Sequence, residues 1–264
     1  MTDSFTLTSG NVPLLISMPH NGHAIPDDIA ATMTDDGRSS RDTDWFKDKL
    51  YDFAQALGAY TISPTYSRFV IDLNRDTAGT NLYPGANSTE LCPTTAFDLA
   101  PLYQDGKQPN AEEVDRRIAL YWQPYHQALA ATLTEMKAKF GVAVLLEAHS
   151  IQSHVPRFFE GRLPDFNFGT ADGASCSPAM LQAVENLDLM PYSRTTNGRF
   201  KGGFITREYG DPENNIHALQ LELSQITYMD EQALTYNEEL AKKVKPKLKA
   251  MVEALISFAQ QAKT

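Results

Sequence analysis

The sequence predicts an α/β fold: a single-domain, mixed, mostly parallel sheet with helices on both faces. Three observations carry this. Two apolar runs, Leu14-Leu15-Ile16-Ser17-Met18 and Val142-Ala143-Val144-Leu145-Leu146-Glu147-Ala148, have strand length and lack the polar alternation of a half-exposed strand, the pattern of strands buried on both sides. Short strand-like segments alternate with longer helical ones. The chain has 264 residues, 42% of them hydrophobic, enough for one domain with a substantial core. No linker, repeat or low-complexity segment divides it, so residues 1–264 are expected to form one domain.

The elements follow in order. The 14–18 strand runs into a loop carrying His20 and then an irregular stretch rich in Asp and Pro. Residues 44–57 read as a helix that Asp42 or Thr43 can cap and Gly58 can end. Tyr60–Ser63 and Phe69–Leu73 read as strands separated by Pro64. Residues 76–110 have many Pro, Gly, Asn and Thr and little periodicity, which predicts a long excursion; segments of that length often carry function, for instance as a lid. Val114, Ile118, Tyr121, Tyr125, Leu129, Leu133, Met136 and Phe140 recur at helical spacing, so 111–140 is a helix, kinked at Pro124 and stopped by Gly141. The His149 strand comes next, then an irregular 151–176. Ser177 caps a helix to about 186. Gly202–Thr206 and Ile216–Leu223 read as strands, and 230–262 as a closing helix bent near Pro246.

Composition removes several classes of function. The net charge is −10 with no Lys/Arg-rich run, which argues against nucleic acid or anionic membrane as partner. An anionic small-molecule substrate would need local cations, because the overall field repels it. Cys92 and Cys176 form no C-x-x-C, so neither a disulfide framework nor a thiolate metal site is indicated. The first residues lack the basic and apolar regions of a secretory signal, and no apolar stretch approaches the ~20 residues that span a bilayer. A cytoplasmic location is therefore expected. Gly-x-Ser-x-Gly, P-loop and dinucleotide fingerprints are absent. The sequence sets no oligomeric state.

Both apolar runs end at an imidazole, His20 and His149. Open α/β sheets bind ligands beyond the carboxyl ends of their strands. One strand-end histidine is commonly a hydrogen-bonded core residue, but two at equivalent ends can begin a metal site. A hydrolytic zinc takes three N/O ligands and leaves a position for water. Asp44, in the first turn of the 44–57 helix, is the expected third ligand; Asp42 and His23 are the alternatives, and helix capping is the competing role for both aspartates. Glu147 shares a strand face with His149 and can orient its ring. Arg75, at the end of Asp72-Leu73-Asn74-Arg75, can hold an oxyanion, and Asn74 beside it is expected to contact substrate. Glu222 sits inside an apolar strand, where a desolvated carboxylate has the raised pKa of a general base. Arg157 and Arg162 in one loop, and Arg199 and Arg207 in a glycine-rich one, are candidate carboxylate binders.

Together these residues form an ordered set. Pro19-His20-Asn21-Gly22 is followed by Asp42-Thr43-Asp44-Trp45 with Asp48-Lys49-Leu50-Tyr51, then by Ser67-Arg68-Phe69-Val70-Ile71-Asp72-Leu73-Asn74-Arg75. Ala148-His149-Ser150, Gly161-Arg162-Leu163-Pro164-Asp165, Lys201-Gly202-Gly203-Phe204-Ile205-Thr206-Arg207 and His217-Ala218-Leu219-Gln220-Leu221-Glu222 complete it. Over nearly its whole length the chain resembles the N-formylglutamate amidohydrolase (deformylase) family. The resemblance implies a phosphorylase/hydrolase-like, carboxypeptidase-like fold. It implies zinc-dependent hydrolysis of N-formyl-L-glutamate to formate and glutamate, a step of histidine degradation, with one Zn2+ per chain. By analogy with the related aspartoacylases, His20 and His149 would be ligands, Arg75 the oxyanion group and Glu222 the base. The chain departs from that wider pattern at His23, where a Glu ligand is usual, and at Glu147, where an Asp is usual. Two other readings compete: a zinc amidase acting on another N-acyl amino acid or peptide, and a non-catalytic binding protein on the same fold. A panel of N-acyl substrates separates the first, and metal analysis the second.

Overall fold

The two histidine-bearing runs form neighbouring central strands. A computed structural model of the chain describes residues 3–80 and 87–262. Its main sheet is built from β1 (Phe5–Thr8), β2 (Leu14–Ser17), β3 (Tyr60–Pro64), β4 (Ala143–Ile151), β5 (Phe166–Gly169), β6 (Arg194–Thr196) and β7 (Ile216–Ser224). The order is β1-β3-β2-β4-β7-β5-β6. The pairs β3–β2, β2–β4, β4–β7 and β5–β6 are parallel, and β1–β3 and β7–β5 antiparallel. Among the described residues a small hairpin adds β8 (Met229–Asp230) and β9 (Thr235–Tyr236). The helices are α1 (Asp27–Ala30), α2 (Asp35–Ser39), α3 (Lys47–Leu50), α4 (Ala111–Arg117), α5 (Gln123–Phe140), α6 (Pro178–Glu185), α7 (Phe204–Tyr209) and α8 (Glu238–Gln261).

Side chains alternate across a strand, and here both faces are apolar because both are covered. Leu15, Leu145 and Ala218 face α5, against Tyr125, Leu129, Leu133 and Met136. Leu14, Ile16, Val144, Leu146 and Leu221 face α6 and α8, against Met180, Val184, Val244, Leu248 and Met251. That double burial is why β4 and β7 read as apolar runs. No helix among the described residues is long and apolar enough to cross a membrane.

Several elements differ from the expectation. The 44–57 helix is reduced to the single turn of α3; Phe46 precedes it with φ 61° and Asp44 lies outside it. The Asp44 N–H goes to the His20 carbonyl, so the chain there serves the sheet edge. Phe69–Leu73 is buried but is not a strand. Its backbone groups are satisfied by Leu91 O, by Arg117 Nη1 on Val70 O and by His126 on Leu73 O. Gly202–Thr206 is no strand either, because α7 begins at Phe204. Short β1, β5 and β6 lie where no strand is expected, β5 inside the supposedly irregular 151–176. The closing helix starts at Glu238, after the hairpin. Between α4 and α5 the long helix loosens into a π-turn, Ile118–Trp122, just before Pro124, as expected where a proline removes one N–H of the helical ladder. Gly141 ends α5 with φ 78°, the left-handed cap that glycine adopts without strain. The 76–110 excursion has no regular helix or strand among its described residues, and its 81–86 portion lies outside them.

His126 ties α5 to the 69–75 segment. Its Nε2–H donates to Leu73 O at 2.8 Å, and its Nδ1 accepts from the Tyr209 hydroxyl at 2.8 Å. Burial lowers its pKa to about 4, so the folded protein holds it neutral. Above its unfolded pKa of about 6.5 it is neutral in both states and contributes no pH dependence. Between about 6.5 and 4 the unfolded chain takes up a proton that the fold refuses, and stability falls by about 3 kcal/mol in all. Urea unfolding at pH 7 and pH 4.5 should show His126→Gln losing less stability on acidification than the parent.

Candidate metal centre and active site

The centre is assembled at the edge where β2 and β4 deliver their histidines. The turn after β2 places His20, and β4 carries His149 in register with Glu222 of β7. Asp44 joins them: its N–H bonds the His20 carbonyl at 3.0 Å, and its Oδ2 accepts the Ser150 N–H at 3.0 Å. His20 Nδ1 lies 3.7 Å and His149 Nδ1 2.9 Å from Asp44 Oδ2, and the two rings are 4.7 Å apart. Ligand atoms of all three lie within 4.8 Å of one another, and all three residues are buried.

The outer ring nitrogens are held by carboxylates. His20 Nε2 is 2.7 Å from Asp72 Oδ1, and His149 Nε2 is 2.6 Å from Glu147 Oε1. Such pairs fix the tautomer that turns Nδ1 inward and raise its basicity as a ligand. Arg68 completes one chain by donating to Asp72 Oδ2 at 2.6 Å. Glu147 is anchored in turn by the backbone N–H and hydroxyl of Thr206. Two imidazole nitrogens and one carboxylate oxygen, each oriented by a second hydrogen bond, match a three-ligand catalytic zinc. Tetrahedral ligand atoms around zinc sit roughly 3.3 Å apart, and the two gaps to Asp44 fall on either side of that.

The surroundings shift the two histidines in opposite directions. Burial, aided by Arg68, lowers the pKa of His20 against the pull of Asp72 and Asp44. Burial also opposes protonation of His149, but Glu147 and Asp44 on its two nitrogens raise it to about 10. Beneath the centre Lys47 is fully buried, and its Nζ donates to the His149 carbonyl at 2.5 Å. Burial lowers its pKa to about 8, opposed by Asp44 and Glu222. Glu222 lines the cavity, is 7% exposed, and its carboxylate makes no hydrogen bond among the described residues. Burial, with Asp44 adding to it, raises its pKa to about 7 against the opposing pull of His149, Lys47 and Arg68.

The other candidates divide. Asn74, Arg75 and Arg199 line the same cavity as the centre. Arg157, Arg162 and Arg207 are not part of that wall. Arg157 bonds Thr95 Oγ1 and Ala96 O, Arg162 pairs with Asp165, and Arg207 bonds Gly202 O. The alternatives for the third ligand are placed elsewhere: Asp42 accepts the Phe97 N–H at 2.7 Å, and exposed His23 packs on Trp45. Sequence reasoning missed Arg68 and Gln220, both buried on the cavity wall. Arg68 was legible only as a cation four residues before Asp72 in an apolar run. Gln220 was legible as the polar residue sharing a strand face with Glu222.

The chain is similar to known proteins over nearly its whole length. Residues 12–229 match the family model described as N-formylglutamate amidohydrolase. A protein from Pseudomonas aeruginosa named N-formylglutamate deformylase is 48% identical over 264 residues, covering 99% of both chains. One of the same name from Pseudomonas putida is 47% identical over 255 residues, covering 96% of this chain and 95% of its own. Among solved structures, N-formylglutamate amidohydrolase from Ralstonia eutropha superposes with a TM-score of 0.84 at 26% identity, covering 98% of each chain. A gene product from Agrobacterium tumefaciens gives a TM-score of 0.70 at 17% identity over 97% of this chain and 96% of that one, which supports the fold alone. The match across most of the chain and two relatives at 47–48% identity lead to one conclusion: the chain belongs to the N-formylglutamate amidohydrolase family.

Proposed function

We propose that the protein hydrolyses N-formyl-L-glutamate to formate and L-glutamate, with one zinc held by His20, Asp44 and His149. The observation that carries this is the buried His-Asp-His group sharing one cavity with Glu222, whose carboxylate has no hydrogen bond among the described residues. Zinc in that position supplies Lewis acidity, which activates water near neutral pH and polarises a carbonyl. Glu222 takes the proton from the attacking water and returns it to the leaving nitrogen as the C–N bond breaks. Its pKa near 7 suits both steps.

The oxyanion role expected of Arg75 is better given to Arg68. Arg75 donates to Thr89 O, Thr89 Oγ1 and Asn74 O. Arg68 packs over the Phe97 ring at 5.0 Å, is held by Asp72 at 2.6 Å, and lines the cavity with His20, Asp44 and Glu222, whose electrostatic environment it shares. A fixed, desolvated guanidinium there stabilises developing negative charge without reorganising. Arg75 and Arg199 line the same cavity, Arg199 also donating to Phe158 O and Asn87 O, and their charges are assigned to the substrate carboxylates. The cations that oppose the chain's −10 charge are thus local to the cavity.

The test is formate release from N-formyl-L-glutamate measured beside N-acetyl-L-glutamate and N-formyl-L-alanine, with metal analysis of the same preparation. The expected result is about one zinc per chain, preference for the formyl glutamate, and loss of activity on chelation that added zinc restores. Undiminished activity after complete metal removal would overturn the metal assignment. Preference for another acyl group would move the enzyme to a different N-acyl substrate.

A further inference from the structure

The start of α7 organises the cavity in a way that the hydrolytic steps do not use. The first N–H groups of a helix lack partners within it. Here Gly203 N–H donates to Gln220 Oε1 at 2.7 Å, Ile205 N–H to Asn74 Oδ1 at 2.9 Å, and Thr206 N–H to Glu147 Oε2 at 3.1 Å. Three side chains from three separate segments are fixed by one turn of backbone.

For the two amides this sets which end faces the cavity. With Oε1 bound, Gln220 turns Nε2 toward the space it lines. No hydrogen bond reaches that nitrogen among the described residues, and it is not one of their enclosed, unpartnered atoms. Asn74 Nδ2 lies 3.1 Å from His149 Nε2, but that nitrogen gives its proton to Glu147. The contact is donor to donor, so the Asn74 N–H groups are left for a ligand. Gly203 permits this geometry: a Cβ there would lie 2.2 Å from Asn74 Nδ2. Both residues are at least nine-tenths buried, and Arg75 lines the same cavity. At Gln220 and Asn74 this part of the wall presents amide N–H donors, which suit an acceptor with no proton of its own. Gln220 is in register with Glu147, two residues along from the His149–Glu222 pair, roughly 7 Å in strand rise and within reach of a glutamate whose formyl group sits at Glu222.

We propose that Gln220 is a specificity-determining residue, forming with Asn74 a carboxylate-binding pair whose donors are oriented by the first turn of α7. The inference rests on the function proposed above and names the substrate group, a carboxylate, that this wall grips.

The test uses zinc-loaded Gln220→Leu and Gln220→Glu. Losing a buried hydrogen bond to a charged group should raise KM for N-formyl-L-glutamate about 10- to 100-fold, with kcat changed by less than about threefold. Gln220→Glu keeps the acceptor for Gly203 but puts a negative acceptor where the donor was, so its KM should rise more than that of Gln220→Leu. Calorimetry should show weaker binding of L-glutamate in parallel, at unchanged zinc content. N-formyl-L-norvaline, which lacks the side-chain carboxylate, separates the two possible ligands. If the pair holds the side-chain carboxylate, Gln220→Leu loses its preference for the glutamate derivative; if it holds the α-carboxylate, both substrates weaken alike. Unchanged KM and glutamate affinity, or an effect confined to kcat, would overturn the proposal. A parent enzyme that leaves N-formyl-L-glutamate intact would instead defeat the functional reading, and the glutamate titration would still read the carboxylate site.

Discussion

Glu222→Gln is expected to keep its zinc and its fold while kcat for formate release falls about 100-fold or more, the scale for losing a positioned acid–base group. The substitution is nearly isosteric, and the side chain lies within β7 beside His149 of β4. No hydrogen bond to the Glu222 carboxylate is broken among the described residues. Folding gains from the change, because a neutral amide is cheaper to bury than a carboxylate. What is lost is proton acceptance. Burial and the nearby Asp44 hold Glu222 near pKa 7, so the active, ionised base accumulates as pH rises through that value. In the parent kcat/KM should therefore climb through about pH 7 and level above it, and in Glu222→Gln that limb should vanish with the rate. Formate assays across pH 5.5–9, with zinc analysis and a thermal melt on the same samples, check each part. Near-normal turnover would remove Glu222 from the chemistry, and loss of zinc would make it a ligand.

The fold was legible where burial on both faces writes itself as a continuous apolar run. β2, β4 and β7 could be read because each is covered by helices on both sides. Phe69–Leu73 carries the same apolar signal and is as buried, yet its backbone partners are side chains and loop carbonyls distant in sequence. Hydrophobicity reports burial and does not report which groups satisfy the backbone. β5, written Phe-Asn-Phe-Gly, is too short to show a period. Gly202–Thr206 failed for a different reason. Its glycines and apolar residues serve a helix start whose N–H groups are used by Gln220, Asn74 and Glu147, contacts that span up to 131 residues. Within the site, the histidines were legible because each ends an apolar run. Asp44 was picked as a helix-start residue, but it reaches the histidines through the Asp44–His20 backbone bond and the Ser150 N–H, with α3 beginning only afterwards. Choosing among arginines from sequence was the weakest step. All of these guanidiniums bond protein groups, and only the fold shows that Arg75 and Arg199 also line the cavity.

His149→Ala should abolish both stoichiometric zinc and hydrolysis, and its comparison with Glu147→Gln tells a ligand from its support. His149 touches two carboxylates, Asp44 through Nδ1 and Glu147 through Nε2, all of them buried. Removing the ring takes away one of three metal donors and leaves two buried acids each short of one partner, with Thr206 still on Glu147 and Ser150 still on Asp44. Breaking a buried pair in this way costs about 3–5 kcal/mol, so the metal-free variant should also unfold at lower urea than the metal-free parent. Glu147→Gln is milder. An amide oxygen can still accept from His149 Nε2, but without the charge that makes the ring a stronger donor to metal. Outer partners of this kind typically change metal affinity about 10- to 100-fold, which predicts a protein that binds zinc at saturation and loses it to a competing chelator sooner than the parent. Zinc competition with a chromophoric chelator orders the three proteins, and formate assays at saturating zinc separate affinity from chemistry. A His149→Ala protein with full zinc content would exclude His149 as a ligand. A Glu147→Gln protein as metal-free as His149→Ala would mean that the carboxylate orients the centre more strongly than a supporting hydrogen bond accounts for.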